Sequence, residues 1–159
     1  MTNNWPTQAG VRSYFGEPGS PQATAGMVDL AYPMKIAWDK SQIIKRFRCH
    51  AKVEAPLERI FQQTLAHYGQ AEITRLGLDI FGGCYNYRPM RGGNNWSMHA
   101  FGIAVDLDPE NNQLKWGKDR ARFAKPEYEP FWKIVEREGA LSLGRAKNYD
   151  WMHFQFARL

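Results

Sequence analysis

Two histidines and two aspartates stand at spacings typical of a catalytic metal site. The first pair is His99 and Asp106, and both lie in the segment Ser97–Asp106. The second pair, Asp150 and His153, lies near the C-terminus. Imidazole and carboxylate groups are usual ligands of a catalytic zinc, which takes three of them and leaves the fourth position to water. Zinc lowers the pKa of that water, and a nearby carboxylate can accept its proton. The sequence therefore predicts a zinc-dependent hydrolase.

Strand geometry predicts where these four side chains lie. Side chains an odd number of residues apart point to opposite faces of a regular strand. His99 and Asp106 are such a pair, so we expect His99 on a turn, with Gly102 permitting the bend. Asp106 then projects from the strand that follows. By the same argument, Asp150 lies on a turn before a strand that begins at His153 and pairs beside Asp106.

The histidines also allow other interpretations. Two histidines and one carboxylate form the facial triad of non-haem iron oxygenases. Those enzymes usually place one residue between the first histidine and the acid, whereas six separate His99 from Asp106. His50 lies on the polar side of an alternating segment and His67 near a helix end, so we expect both to be structural or exposed.

The hydrophobic pattern predicts a small α+β domain with a central, mostly antiparallel sheet and two or three flanking helices. Residues 1–35 are rich in Gly, Pro, Ser and Thr and read as an irregular N-terminal extension, with Trp5 available to anchor it. Residues 36–159 then form the single domain. We expect strands over 47–53, 80–87, 103–107, a short stretch from 140, and 153–157. We expect helices from 56 to a stop at Gly69 and over 127–138.

The charge and composition of the chain bear on which kinds of molecule it binds. The net charge of +5 favours an anionic partner. The chain has no lysine or arginine tract and no nucleic-acid motif, and an anionic polymer such as a bacterial cell wall fits the charge as well as nucleic acid does, so charge alone does not choose between them. No apolar stretch reaches the roughly 18 residues of a membrane span, and no secretory signal is evident. We expect a monomer made in the cytoplasm, for which any role outside the cell needs another route of exit, with Cys49 and Cys84 as buried free thiols.

The metal-site segments resemble those of a known family. The pattern Ser-x-His-x-x-Gly-x-Ala-x-Asp over Ser97–Asp106, followed by Asp-x-x-His over 150–153, is similar to that of the M15 zinc peptidases. This family includes D-alanyl-D-alanine carboxypeptidases, dipeptidases and the L-alanyl-D-glutamate endopeptidases of phage endolysins. The resemblance runs from about residue 82 to residue 156. It implies the fold shared by DD-peptidases and Hedgehog-like signalling domains.

The resemblance also implies roles for individual residues. His99, Asp106 and His153 would bind one zinc ion. Asp150 would act as general base and then as general acid. Arg88 would hold the scissile carbonyl or a substrate carboxylate, because a guanidinium is always charged and donates two parallel hydrogen bonds.

Three further residues are implied on the substrate side. Tyr87 belongs to the segment that carries the substrate-facing arginine, Ser97 opens the first motif, and Trp151 stands where relatives have a small residue or proline. Ser97 is expected to support the loop rather than attack substrate. Arg91 is a second arginine close enough to take the role given to Arg88.

The expected function is hydrolysis of the peptidoglycan stem peptide. We expect an L-alanyl-D-glutamate endopeptidase that serves as a phage or prophage endolysin and acts on the cell wall after release, with no nucleic acid as a partner. A D-alanyl-D-alanine carboxypeptidase and a dipeptidase are alternatives within the same chemistry. A non-catalytic zinc-containing binding module is the alternative of another class, and the acid at Asp150 argues against it.

Overall fold

The computed structural model describes residues 4–90 and 95–159, and a mixed sheet of six strands forms the centre of that part of the chain. In chain order the strands are β1 Gly26–Ile36, β2 Asp39–Cys49, β3 Ile80–Gly83, β4 Ala104–Leu107, β5 Leu141–Ser142 and β6 His153–Gln155. Their order across the sheet is β2-β1-β3-β4-β6-β5. Only the β1–β3 pair among these is parallel, so the predicted α+β fold with a mostly antiparallel sheet is confirmed.

Helices cover the sheet. They are α1 Val11–Phe15, α2 Glu54–Leu76, α3 Glu129–Arg137 and α4 Leu143–Lys147. The long helix α2 packs against β1 and α3, because Leu57, Ile60 and Phe61 form one buried stripe. The predicted stop at Gly69 is a break with φ of 76°, after which the helix resumes. None of the helices described here is long and apolar enough to cross a membrane.

The predicted irregular extension over residues 1–35 is wrong at its end, where β1 begins at Gly26. The pairing of β1 with β2 shifts register between Asp29 and Met34, which is typical of a bulge. A bulge breaks the period-two alternation by which a strand is recognised in a sequence. The strand expected over 47–53 is likewise the end of β2, followed by a 3-10 turn over Ala51–Val53.

The segment before β1 is tied to the C-terminal end of the sheet. Trp5 packs edge-on against Phe156, with ring centroids 5.2 Å apart, and stacks on Phe15 at 6.0 Å. The backbone nitrogen of Gln8 donates to the Arg158 carbonyl over 2.7 Å, and the Arg158 nitrogen donates to the Pro6 carbonyl over 2.8 Å. The N-terminal residues therefore lie against the residues that follow β6.

Two cysteines and a histidine that do not belong to the predicted metal site are buried. Cys49 and Cys84 are free and buried, which confirms the prediction of two buried thiols. Burial, followed by the charges of two glutamates, raises the pKa of Cys49 to about 12. His50, expected on a polar face, is instead buried with its Nε2 2.7 Å from the Phe15 carbonyl oxygen. It has a structural role.

Candidate metal centre

Strand pairing brings the first two members of the centre together. Asp106 on β4 and His153 on β6 are register partners in an antiparallel pair. Directly paired residues project from the same face of a sheet at close range. The Asp106 Oδ1 atom consequently lies 3.1 Å from His153 Nδ1. The predicted placement of these two residues on neighbouring strands is confirmed.

His99 reaches the same point from a turn. It lies in the 3-10 helix Met98–Phe101, which begins after Ser97 and ends at Gly102. The Ser97 hydroxyl accepts a hydrogen bond from the His99 backbone nitrogen over 3.2 Å, an N-cap contact. Gly102 has φ of 73°, a left-handed conformation that favours glycine. The His99 Nε2 atom ends 3.1 Å from Asp106 Oδ2.

The outer nitrogen of each ring has a hydrogen-bond acceptor. His99 Nδ1 lies 2.7 Å from the carbonyl oxygen of Cys84, which can only accept, so Nδ1 is the protonated nitrogen. His153 Nε2 lies 2.8 Å from Gln155 Oε1. Such outer contacts are how proteins orient ligating histidines. Each ring therefore turns its other nitrogen toward Asp106.

The three side chains meet the requirements of a metal site. Their ligand atoms all lie within 4.8 Å of one another. Two ligands at 2.0–2.1 Å from a tetrahedral zinc are about 3.3 Å apart, close to the two 3.1 Å separations observed here. Two imidazoles and one carboxylate also match the donor set of a catalytic zinc. His99, Asp106 and His153 thus fit a zinc ion.

The contacts within the centre shift the pKa of two of its members. Burial alone would raise the pKa of Asp106, but the charge of His99 and hydrogen bonds from both histidines hold it well below its ordinary value. Burial would lower the pKa of His153, but its hydrogen bond to Asp106 and the charge of that carboxylate raise it. Asp106 is therefore ionised between the two rings.

Asp150 lies beside the centre, outside the group of three side chains whose ligand atoms converge. Its Oδ2 atom is 3.9 Å from His153 Nδ1. Its backbone has φ of 54°, and its nitrogen donates to the Leu114 carbonyl over 2.8 Å. Aspartate tolerates this left-handed conformation better than most residues. The turn before β6 thus places a second carboxylate next to the three ligands, as parity predicts.

A cavity of about 850 Å³ opens over the centre. Arg88 and Ser97 line it together with the four residues already described. Arg91, the alternative to Arg88, lies outside the described residues. The sequence pattern did not predict the other lining residues, which include Gln8, Lys115, Trp116 and Gln155. A signal existed for Gln155, because it stands two residues after His153 on the same strand face.

Two residues expected to bind substrate lie elsewhere. Tyr87 is 56 % exposed and stacks on Trp96, with ring centroids 4.7 Å apart, outside the lining of the cavity. Trp151 is only 8 % exposed, and its Nε1 donates to Asn148 Oδ1. Its ring lies so close to Gly144 that an added Cβ there would overlap it. Trp151 thus packs inside the protein and is not among the residues that line this cavity, and its contact with substrate stays a prediction.

Comparison with known proteins agrees with this centre. Residues 91–156 match the peptidase M15 family model described as D-alanyl-D-alanine carboxypeptidase. The matched segment contains His99, Asp106, Asp150 and His153, and the predicted resemblance to M15 peptidases is confirmed over these residues. No curated protein and no solved structure matches the chain.

Proposed function

We propose that the protein is a zinc-dependent peptidase that cleaves the peptidoglycan stem peptide as an L-alanyl-D-glutamate endopeptidase of the endolysin type. The observation that carries the proposal is the second carboxylate: Asp150 Oδ2 lies 3.9 Å from His153 Nδ1, and Asp150 is outside the cluster of three side chains that fit a metal. A binding module needs only the three ligands. A hydrolase also needs a group that moves a proton, and Asp150 is placed to do so.

The chemistry divides between the metal and the chain. Zinc, when bound by His99, Asp106 and His153, supplies a Lewis acid that polarises the peptide carbonyl and activates water. Asp150 accepts the proton from the attacking water and passes it to the leaving amine. The outer hydrogen bonds of the two histidines keep the rings in place during the reaction.

Arg88 supplies the cationic wall of the cavity. It is half-buried, lines the same cavity as the centre, and carries a planar guanidinium. Such a group donates two parallel hydrogen bonds to a carboxylate or to a developing oxyanion. Lys115 adds a second cation to the lining, in keeping with a substrate that carries carboxylates.

Incubation of the zinc-loaded protein with purified peptidoglycan tests the proposal. The released ends are identified by mass spectrometry, and a chelator-treated sample is the control. New N-terminal D-Glu that disappears with the chelator is the expected result. Free D-Ala would replace the endopeptidase by a carboxypeptidase. Activity that survives complete metal removal would contradict the zinc mechanism, and no product from the loaded protein would favour a binding module.

A D-alanyl-D-alanine carboxypeptidase is the second candidate. The observation in its favour is the description of the family model that matches residues 91–156. In this case Arg88 would hold the free carboxylate at the end of the substrate rather than a scissile carbonyl. Amidation of that terminal carboxylate would then abolish cleavage, whereas an internal bond would still be cut.

Zinc affinity is expected to fall as the pH falls. The pKa of His153 is raised, because its contact with Asp106 outweighs burial, and a metal must displace that proton. Below the raised pKa, affinity should drop about tenfold per pH unit for each proton displaced. Competition with a chromophoric chelator between about pH 5 and pH 8 measures this. The matched variant His67→Gln should give the parent curve, and an affinity independent of pH would contradict the ligand assignment.

Replacement of Trp151 should affect stability and not substrate binding. The Trp151→Phe variant loses the hydrogen bond to Asn148 and part of a buried ring that packs beside Trp132. We expect the free energy of unfolding to fall by about 1–3 kcal/mol, with KM unchanged. Urea denaturation and steady-state kinetics check the two parts. Trp116→Phe, which changes a residue that lines the cavity, is the matched variant. A KM that is raised in Trp151→Phe and not in Trp116→Phe would mean that Trp151 contacts the substrate.

A further inference from the structure

We infer that Gln8, in the N-terminal segment, is a positioning residue of the metal centre, which acts on His153 through the side chain of Gln155. It lies outside the residues that match the peptidase family. It lines the cavity and contacts Gln155 across 147 positions of the sequence. The inference rests on the proposed metal centre and concerns how this chain holds one ligand of it.

Two neighbouring groups fix the orientation of the Gln155 side-chain amide. Its Nε2 atom lies 3.0 Å from the Ala157 carbonyl oxygen, which can only accept a hydrogen bond. The nitrogen therefore stands on that side, and Oε1 must face His153, where the distance to Nε2 is 2.8 Å. His153 Nε2 is then the donor, and its Nδ1 atom is directed at the metal position. A flipped amide would present N–H groups to the ring and break this arrangement.

The Gln155 amide has a second N–H group, which also needs an acceptor. This side chain is 1 % exposed, so each of its polar atoms needs a partner within the protein. One N–H group is satisfied by Ala157, and the other donates to Gln8 Oε1 over 2.9 Å. Gln8 thereby completes the hydrogen bonding of the amide in the orientation that His153 requires.

Hydrogen bonds to Arg158 hold Gln8 and the residues before it in place. Its own backbone nitrogen donates to the Arg158 carbonyl, and Arg158 returns a hydrogen bond to Pro6. The Arg158 guanidinium also donates from Nε to the Trp5 carbonyl over 2.8 Å. The backbone at Gln8 and at the residues before it is thus fixed to the residues that follow β6. The N-terminal segment is part of the centre and not an accessory to it.

Zinc competition titrations on the full chain test this inference. Gln8→Ala should weaken zinc affinity about 3–10-fold, and Gln155→Ala about 10–100-fold, the range for a residue that contacts a ligand directly. Gln8→Glu keeps an acceptor oxygen and should restore most of the affinity. Gln113→Ala is the matched control, since Gln113 lines the same cavity and donates only to the Glu110 carbonyl. It should bind zinc as the parent does.

A double-mutant cycle separates positioning from general stabilisation. If Gln8 acts through Gln155, then Gln8→Ala should have no further effect on zinc affinity once Gln155 is alanine. Additive losses, or a Gln8→Ala protein with the affinity of the parent, would overturn the inference. A parent protein that binds no zinc would overturn the metal centre itself. Urea denaturation of each variant shows that the compared proteins are folded.

Discussion

Asp150→Asn should lower the rate of stem-peptide hydrolysis by about 10²–10⁴ while zinc remains bound. An amide has nearly the shape of a carboxylate but cannot accept a proton from water at neutral pH. Asparagine also tolerates the left-handed backbone that residue 150 adopts, with φ of 54°, so the turn before β6 should keep its conformation. The change therefore removes the proton acceptor alone, which an alanine substitution would not do.

Asp106→Asn is the matched control, because it makes the same change at a ligand. It should lower zinc affinity by more than the roughly 100-fold that loss of an outer contact costs, and activity should fall with it. In Asp150→Asn, zinc affinity should change by less than about tenfold. Zinc competition and single-turnover hydrolysis measure both quantities. If Asp150→Asn hydrolyses the wall at the parent rate, Asp150 is not the proton carrier.

Gly102→Ala should lower the free energy of unfolding by about 4 kcal/mol or more, or prevent folding. The left-handed backbone at residue 102 costs a side-chain-bearing residue about 1–2 kcal/mol. In addition, a Cβ there would collide with the carbonyl oxygen of Ala23 and lie 2.9 Å from the backbone nitrogen of His50. Both neighbours are backbone atoms and cannot turn aside. Losses of this size arise from such forced overlaps.

Gly69→Ala separates the two causes. Gly69 has a similar φ, 76°, with ψ of 161°, a backbone region that is essentially restricted to glycine, and no atom beyond its neighbours in the chain lies within 4 Å of the position that a Cβ would take. Its replacement should cost the backbone strain without an overlap, about 1–3 kcal/mol. Urea denaturation of the metal-free proteins gives both values. Equal losses in the two variants would mean that the contact with Ala23 contributes nothing. Because Gly102 ends the turn that carries His99, its variant should also bind zinc more weakly.

The three side chains that fit a metal ion could be found from the sequence, because their chemistry depends on side-chain type and local spacing. The odd spacing of His99 and Asp106 predicted a turn for His99 and a strand for Asp106, and the structure confirms both. The pairing of β4 with β6 confirms that His153 lies beside Asp106. The positions of the Tyr87 and Trp151 side chains could not be predicted. Their side-chain directions depend on packing against residues that no short pattern contains.

The chain by itself determined which atoms can bind a metal and which carboxylate stands apart from it, since these depend on residue type and on the two-residue period of a strand. Only the tertiary structure decided what holds those atoms in place. The acceptor of His99 is a backbone carbonyl at Cys84, and every residue type offers one. The support of His153 comes through Gln155 from Gln8, at the opposite end of the chain. Contacts between backbone atoms, or across such sequence distances, exist only once the fold has formed.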